Sequence, residues 1–170
     1  CARSWNCRNR SSRCSTVTCG PGGMGLVGAC DIVVAGPRST FALTEVKLGL
    51  AASIISLTVL PPASPSAPQA GTSSPGERFG SEEAVAIGLV TMETADPAAT
   101  VHELLAELSE CSPQGLAESK RLTTMRMLAD FDRYGDELAA QSARLFGSDE
   151  AVEGGITAFL QRRPAAWSRM

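Results

Sequence analysis

A chain of 170 residues is long enough to bury one domain-sized core, and 44% hydrophobic residues with a formal net charge of -3 describe an ordinary folded protein. There is no basic excess to hold a nucleic-acid backbone and no run of about 18 apolar residues to cross a bilayer. The N-terminal stretch lacks the apolar segment of a secretory leader, so the expectation is a cytoplasmic protein without membrane or nucleic-acid partners.

Residues 1–19 are polar, basic and without hydrophobic period, and read by themselves as a disordered tail. Four of the six cysteines, Cys1, Cys7, Cys14 and Cys19, crowd this stretch. A zinc reading fails on spacing, because no C-x2-C pair is present. Cys30 and Cys111 fall in helix-like contexts, so neither a metal nor a disulfide framework is expected.

The stretch from Gly22 to Glu45 organises the chain. Gly22 and Gly23 let a backbone pass close to a ligand and open a helix, which the small and apolar Leu26, Val27, Gly28 and Ala29 suit for tight packing. Ile32-Val33-Val34-Ala35 reads as a short buried strand, Gly36-Pro37 as a turn and Phe41-Ala42-Leu43 as briefly extended. Glu45 closes this apolar unit, as a surface acid, a helix cap or a functional carboxylate. Ala51 to Leu60 reads as a mostly buried helix stopped by Pro61-Pro62, and residues 61–76 are a Pro/Ser-rich, linker-like tract.

From Glu77 onward the pattern is helical. Ser81 is placed to cap a short helix that Gly88 ends. Leu89-Val90 reads as a short extended piece. Asp96-Pro97 starts a helix with Val101, Leu104, Leu105 and Leu108 on one face. Ser112-Pro113 starts another that runs to Leu128, and a third spans about Asp132 to Phe146. Ser148 caps a fourth that carries Ile156, Phe159 and Leu160 and ends at Arg162-Arg163-Pro164. His102 sits beside Glu103 on a solvated face, and Met125 and Met127 read as core or interface.

Gly22-Gly23, Cys30-Asp31-Ile32, Phe41 and Glu45 stand at the spacing of the core motif of the crotonase superfamily, the enoyl-CoA hydratase and isomerase family, which this chain resembles over about 22–60 and 77–167. The resemblance implies an α/β fold: the C-terminal part of a crotonase-like (ClpP/crotonase) spiral, followed by a mainly helical C-terminal region. It implies chemistry on acyl-CoA thioesters without a separate cofactor, coenzyme A being part of the substrate. Two backbone N–H donors stabilise the enolate oxygen in that family. Gly22 corresponds to the second donor, at a helix start, while the first falls N-terminal to anything in this sequence. Of the two glutamates used for hydration, the first falls at Gly25 and the second at Glu45, so one carboxylate remains to shuttle a proton. Glu45 and Gly22 are thus the expected catalytic pair, facing one thioester. Gly23 is expected at the substrate. Phe159 and Arg162 match C-terminal positions that touch coenzyme A in some relatives. The resemblance also implies a homo-oligomer, a trimer or dimer of trimers, built through the C-terminal helices.

Two segments do not follow the family. Reading the last base of each codon with the first two of the next, Trp5 to Gly22 permits E-L-P-K-P-V-I-A-V-L-D-G-H-V-R-A-G-G, a strand and glycine turn. The same shift over Ala67–Gly76 permits A-A-G-R-Y-F-L-T-G, which runs into Glu77. Both strings resemble what the family carries there. The expected organisation is therefore an aberrant, unstructured segment at 1–21, a core fragment at 22–60, an aberrant segment at 61–76 and a helical region at 77–170. An N-terminally truncated, frame-damaged chain of this kind is expected to be impaired, or to act only as a non-catalytic remnant that joins intact family subunits.

Overall fold

The structure is a computed structural model that describes residues 18–19, 21–59 and 76–169. The expectations for 1–21 and 61–76 fall mainly on residues outside this set. At the edge of the first, Thr18–Cys19 form strand β1, and Cys19 is buried.

The elements follow in short pieces. Helix α1 is Pro21–Gly28, β2 is Val34–Ala35 and β3 is Thr40–Ala42. A 3-10 turn covers Glu45–Leu48, and α2 is Ser56–Val59. Then come β4 (Arg78–Gly80), α3 (Ser81–Ala86) and β5 (Met92–Glu93). Two longer helices follow, α4 (Pro97–Ser109) and α5 (Pro113–Phe146). The chain finishes with a π-helix at Glu150–Ile156, α6 at Thr157–Leu160 and a 3-10 turn at Ala166–Arg169.

Two small sheets carry the core. One has the order β1-β3-β4, with β1 parallel and β4 antiparallel to β3. The other pairs β2 with β5 in parallel, Val34 opposite Met92 and Ala35 opposite Glu93. β4 and β5 come from the part of the chain read as helical, and they complete sheets begun before residue 60. Between the sheets and α1, the side chains of Cys19, Met24, Ala35, Phe41, Val59, Ala84, Leu89 and Val90 form the buried core. Phe41 and Phe79 stack across the β3–β4 pair with centroids 5.8 Å apart, an added contribution beyond their area burial.

Helix α1 packs as its small residues suggest. A Cβ on Gly28 would lie 2.5 Å from the Thr58 carbonyl oxygen, so only glycine lets α1 and α2 approach this closely. The Thr58 hydroxyl donates to the Gly25 carbonyl at 3.1 Å and ties the two helices together.

Several boundaries differ from the sequence reading. The strand expected at 32–35 is only Val34–Ala35, and Ile32 is exposed. Of the helix expected over Ala51–Leu60, residues 51–59 form a turn followed by the single helical turn Ser56–Val59, and Leu60 lies outside the described residues. The strand expected at Leu89-Val90 falls at Met92–Glu93, and both Leu89 and Val90 are core residues. Ser81 is the first helical residue of α3, with Gly80 as its N-cap. The two helices expected between Ser112 and Phe146 are one, 34 residues long. The helix runs through Leu128-Ala129-Asp130-Phe131 into Asp132 without a break. The caps at Asp96 and Ser112 are as expected: Asp96 accepts from Ala99 N–H at 3.0 Å and Ser112 from Gly115 N–H at 3.4 Å.

Candidate functional site

Glu45 follows β3 by two residues. The strand ends at Ala42, and Leu43 and Thr44 carry the chain off the sheet edge into the 3-10 turn that Glu45 opens. The turn closes at Gly49, whose φ of 73° lies in the left-handed region, which a residue without Cβ adopts at little cost. Leu50 N–H donates to the Glu45 carbonyl at 3.0 Å and locks the turn. Glu45 is only 7% exposed, and neither carboxylate oxygen has a hydrogen-bond partner among the described residues.

Such a group is out of place in a purely structural role, because an ionised carboxylate without partners is costly to bury. Burial pushes its pKa up from the ordinary glutamate value. Its own backbone N–H offsets part of the rise without meeting the geometry of a hydrogen bond. A carboxyl group whose protonated form is favoured in this way is suited to taking up and returning a proton.

The surroundings of the turn are backbone on one side and a lysine stem on the other. A Cβ on Gly49 would lie 3.2 Å from Ala151 Cα, and one on Gly155 would run into the Leu48 carbonyl. The π-helix therefore rests directly on the turn. On the opposite flank the Lys47 side chain covers Gly76, where a Cβ would lie 2.6 Å from Lys47 Cε.

The other expected site residues are placed as follows. Gly22 lies in the first turn of α1, and α1 packs on β1 and β3, so the helix carrying Gly22 and the strand leading to Glu45 belong to one packed unit. Gly23 lies beside Cys19, whose sulfur would be 2.8 Å from a Cβ there; close packing on β1 already accounts for this glycine. Gly25 carries no carboxylate, and a Cβ on it would meet Ile55 Cγ1 at 3.2 Å. Apolar packing thus occupies the direction in which the resemblance sets a first glutamate. Phe159 is 69% exposed and Arg162 is exposed with φ of 53°. Both lie on or just beyond α6, which continues directly from the π-helix. His102 is exposed on α4. Among the described residues, no three His, Cys, Asp or Glu side chains gather as metal ligands.

The sequence reading missed the π-helix. Ala151, Gly154 and Gly155 are buried there, and Trp167 packs on Gly154, its ring 2.9 Å from a Cβ at that position. The available signal was a Gly-Gly pair inside a helical pattern, which marks close backbone approach.

The sequence matches the family described as Enoyl-CoA hydratase/isomerase over residues 18–170. It is 30% identical over 145 residues to a Bacillus subtilis relative carrying the name of an enoyl-CoA hydratase, covering 84% of this chain and 56% of that protein. It is 30% identical over 152 residues to the carnitinyl-CoA dehydratase of Escherichia coli K12, covering 86% of this chain and 58% of the relative. The crystal structure of an enoyl-CoA hydratase from Mycobacterium avium superposes with a TM-score of 0.80 and 50% identity, covering 89% of this chain and 60% of that one. The chain therefore spans less than two thirds of the length of the proteins it matches.

Proposed function

The chain belongs to the enoyl-CoA hydratase/isomerase family, and from that premise we propose that it acts on acyl-CoA thioesters with Glu45 as its proton carrier. The observation that carries this reading is the buried carboxylate of Glu45, without a hydrogen-bond partner among the described residues and raised in pKa, just after β3. The N–H of Gly22, at the start of α1, supplies an oxyanion donor in this reading, with the helix dipole adding to it. Phe159 and Arg162 are proposed contacts for the coenzyme A portion.

With Gly25 where a second carboxylate would activate water, hydration is impaired. One carboxylate suffices to move a proton between the alpha and gamma carbons of an enoyl thioester: Glu45 removes it from one carbon and returns it to the other, so atoms and charge balance without water. The test compares this chain with Glu45→Gln on 3-enoyl-CoA and 2-enoyl-CoA. Slow double-bond migration that falls about a hundredfold or more in the variant is expected, with no measurable hydration. Equal rates for the two proteins, or brisk hydration, would overturn the reading.

A second reading rests on the open apolar face of α5, where Leu122, Met125 and Leu128 are all more than half exposed. In this reading the chain is non-catalytic and associates through its C-terminal helices with intact family subunits or further copies of itself, as a trimer or dimer of trimers. A monomeric elution from size-exclusion chromatography, alone and with an intact family enzyme, would remove it.

A further inference from the structure

We infer that the π-helix at Glu150–Ile156 is the seat that positions Glu45, and that Gly155 is a positioning residue for the proton carrier; the inference rests on the acid/base reading of Glu45. The contact is backbone on backbone. Gly155 meets Leu48, the last residue of the Glu45 turn, so closely that a Cβ would collide with the Leu48 carbonyl. One residue beyond that turn, Gly49 rests against the N and Cα of Ala151, each 3.2–3.3 Å from where its Cβ would be. Contacts of this kind leave no side chain free to yield, so a displacement of either element is passed to the other.

The helix is wound for this task. Its residues take the wide i→i+5 form, which is rare and concentrates at functional sites. The Thr157 hydroxyl, donating to the Val152 carbonyl at 2.6 Å, holds the wide turn. Ala151, Gly154 and Gly155 are buried together. Gly154 faces a different neighbour, the Trp167 ring. The two adjacent glycines therefore do separable things: Gly155 serves the Glu45 turn and Gly154 serves the C-terminal cover. Among the described residues, none makes a hydrogen bond that could fix the Glu45 carboxyl group. The position of that group depends on the turn, and the turn rests on the π-helix.

The experiment labels the chain with 13C at glutamate side chains and assigns the Glu45 carboxyl signal by its loss in Glu45→Gln. It then follows that signal against pH in wild type, Gly155→Ala, Gly154→Ala and Thr157→Val, together with exchange of the Leu50 amide proton. Gly155→Ala is expected to move the Glu45 titration toward the ordinary glutamate range and to speed Leu50 exchange about tenfold or more. Gly154→Ala, which crowds the same helix from the Trp167 side, is expected to lower the melting temperature and leave both readouts in place. Thr157→Val adds no clash and is expected to give the Gly155→Ala change in smaller measure; it carries the test if Gly155→Ala does not fold. Unchanged Leu50 exchange in folded Gly155→Ala, or in Thr157→Val where that variant stands in, overturns the seat. So does the same response to Gly154→Ala as to Gly155→Ala. A wild-type Glu45 that titrates like a free glutamate sinks the acid/base reading instead, while the exchange data still decide the seat.

Discussion

Helices α1 and α5 both carry apolar residues, α1 on a glycine-rich backbone and α5 among good helix formers, and their surroundings differ. α1 is 8 residues long and holds Met24 at 0% exposure, with Gly28 pressed on the α2 backbone. α5 is 34 residues long and contains no buried residue. One of its faces, with Met127, Phe131, Leu138 and Leu145, is half-buried against the rest of the chain. Its other apolar positions, Leu122 at 70% and Met125 at 63% exposure, face outward. Burial in this molecule follows close backbone approach through small residues, not helix length or amphipathic period. The region that holds Glu45 is the region of close approach.

The comparison implies a large difference in what single truncations do. Phe41 is 4% exposed and stacked on Phe79, so Phe41→Ala should destabilise the chain by about 3–5 kcal/mol. Leu122→Ala on α5 should change it by no more than about 0.5 kcal/mol. Chemical denaturation of both variants checks this, and similar losses would break the contrast between the two regions.

How far the sequence revealed this contrast can be read from particular residues. The glycine-led helix, the Asp96 and Ser112 caps and the place of Glu45 at the end of an apolar unit were legible, because each depends on local chemistry within a few residues. The single 34-residue α5 was not, since helix ends are the least local of signals and the pattern between Leu128 and Asp132 does not by itself decide between one helix and two. Nor was the π-helix: what makes Gly155 necessary is Leu48, more than a hundred positions earlier, and no local pattern records that contact. Gly23 shows the opposite case. It was legible as a special glycine, and the sulfur of Cys19, 2.8 Å from where its Cβ would be, adds a packing reason that the fold reveals.

A sharper test of the buried region uses pH. Burial raises the pKa of Glu45 in the folded state above its unfolded value, which is about 4.3 for a free glutamate. Between those two values the folded chain holds a proton that the unfolded chain has released. The stability this contributes is fully present below the unfolded pKa and is lost as pH rises through the folded one. Glu45→Gln removes the titration. Relative to wild type the variant should therefore gain stability as pH is raised from about 4 toward neutral. Denaturation midpoints of the pair measured across that range check the sign, and a gap that moves in the wild type's favour would mean that Glu45 is stabilised as a carboxylate.

The smallest expected effect lies where the two regions meet. Beside the packing of its half-buried face, α5 is tied to the core half by two side-chain hydrogen bonds among the described residues: Lys120 to Asp31 at 2.6 Å, and Ser53 to Gln141 at 2.7 Å. The ion pair is half-exposed on both sides, at 54% and 51%, so solvent screening reduces it to about 0.5 kcal/mol or less. Lys120→Ala should then shift the melting temperature by no more than about 2 °C, and the shift should vanish in molar salt. The local effect should exceed the global one, because Asp31 anchors the N-terminal half of α5 where no residue is buried. Amide exchange in residues 113–125 is expected to speed while that of the Phe41–Phe79 pair does not. Equal acceleration in both would mean that α5 unfolds only with the core, and that its exposed length conceals a cooperative attachment.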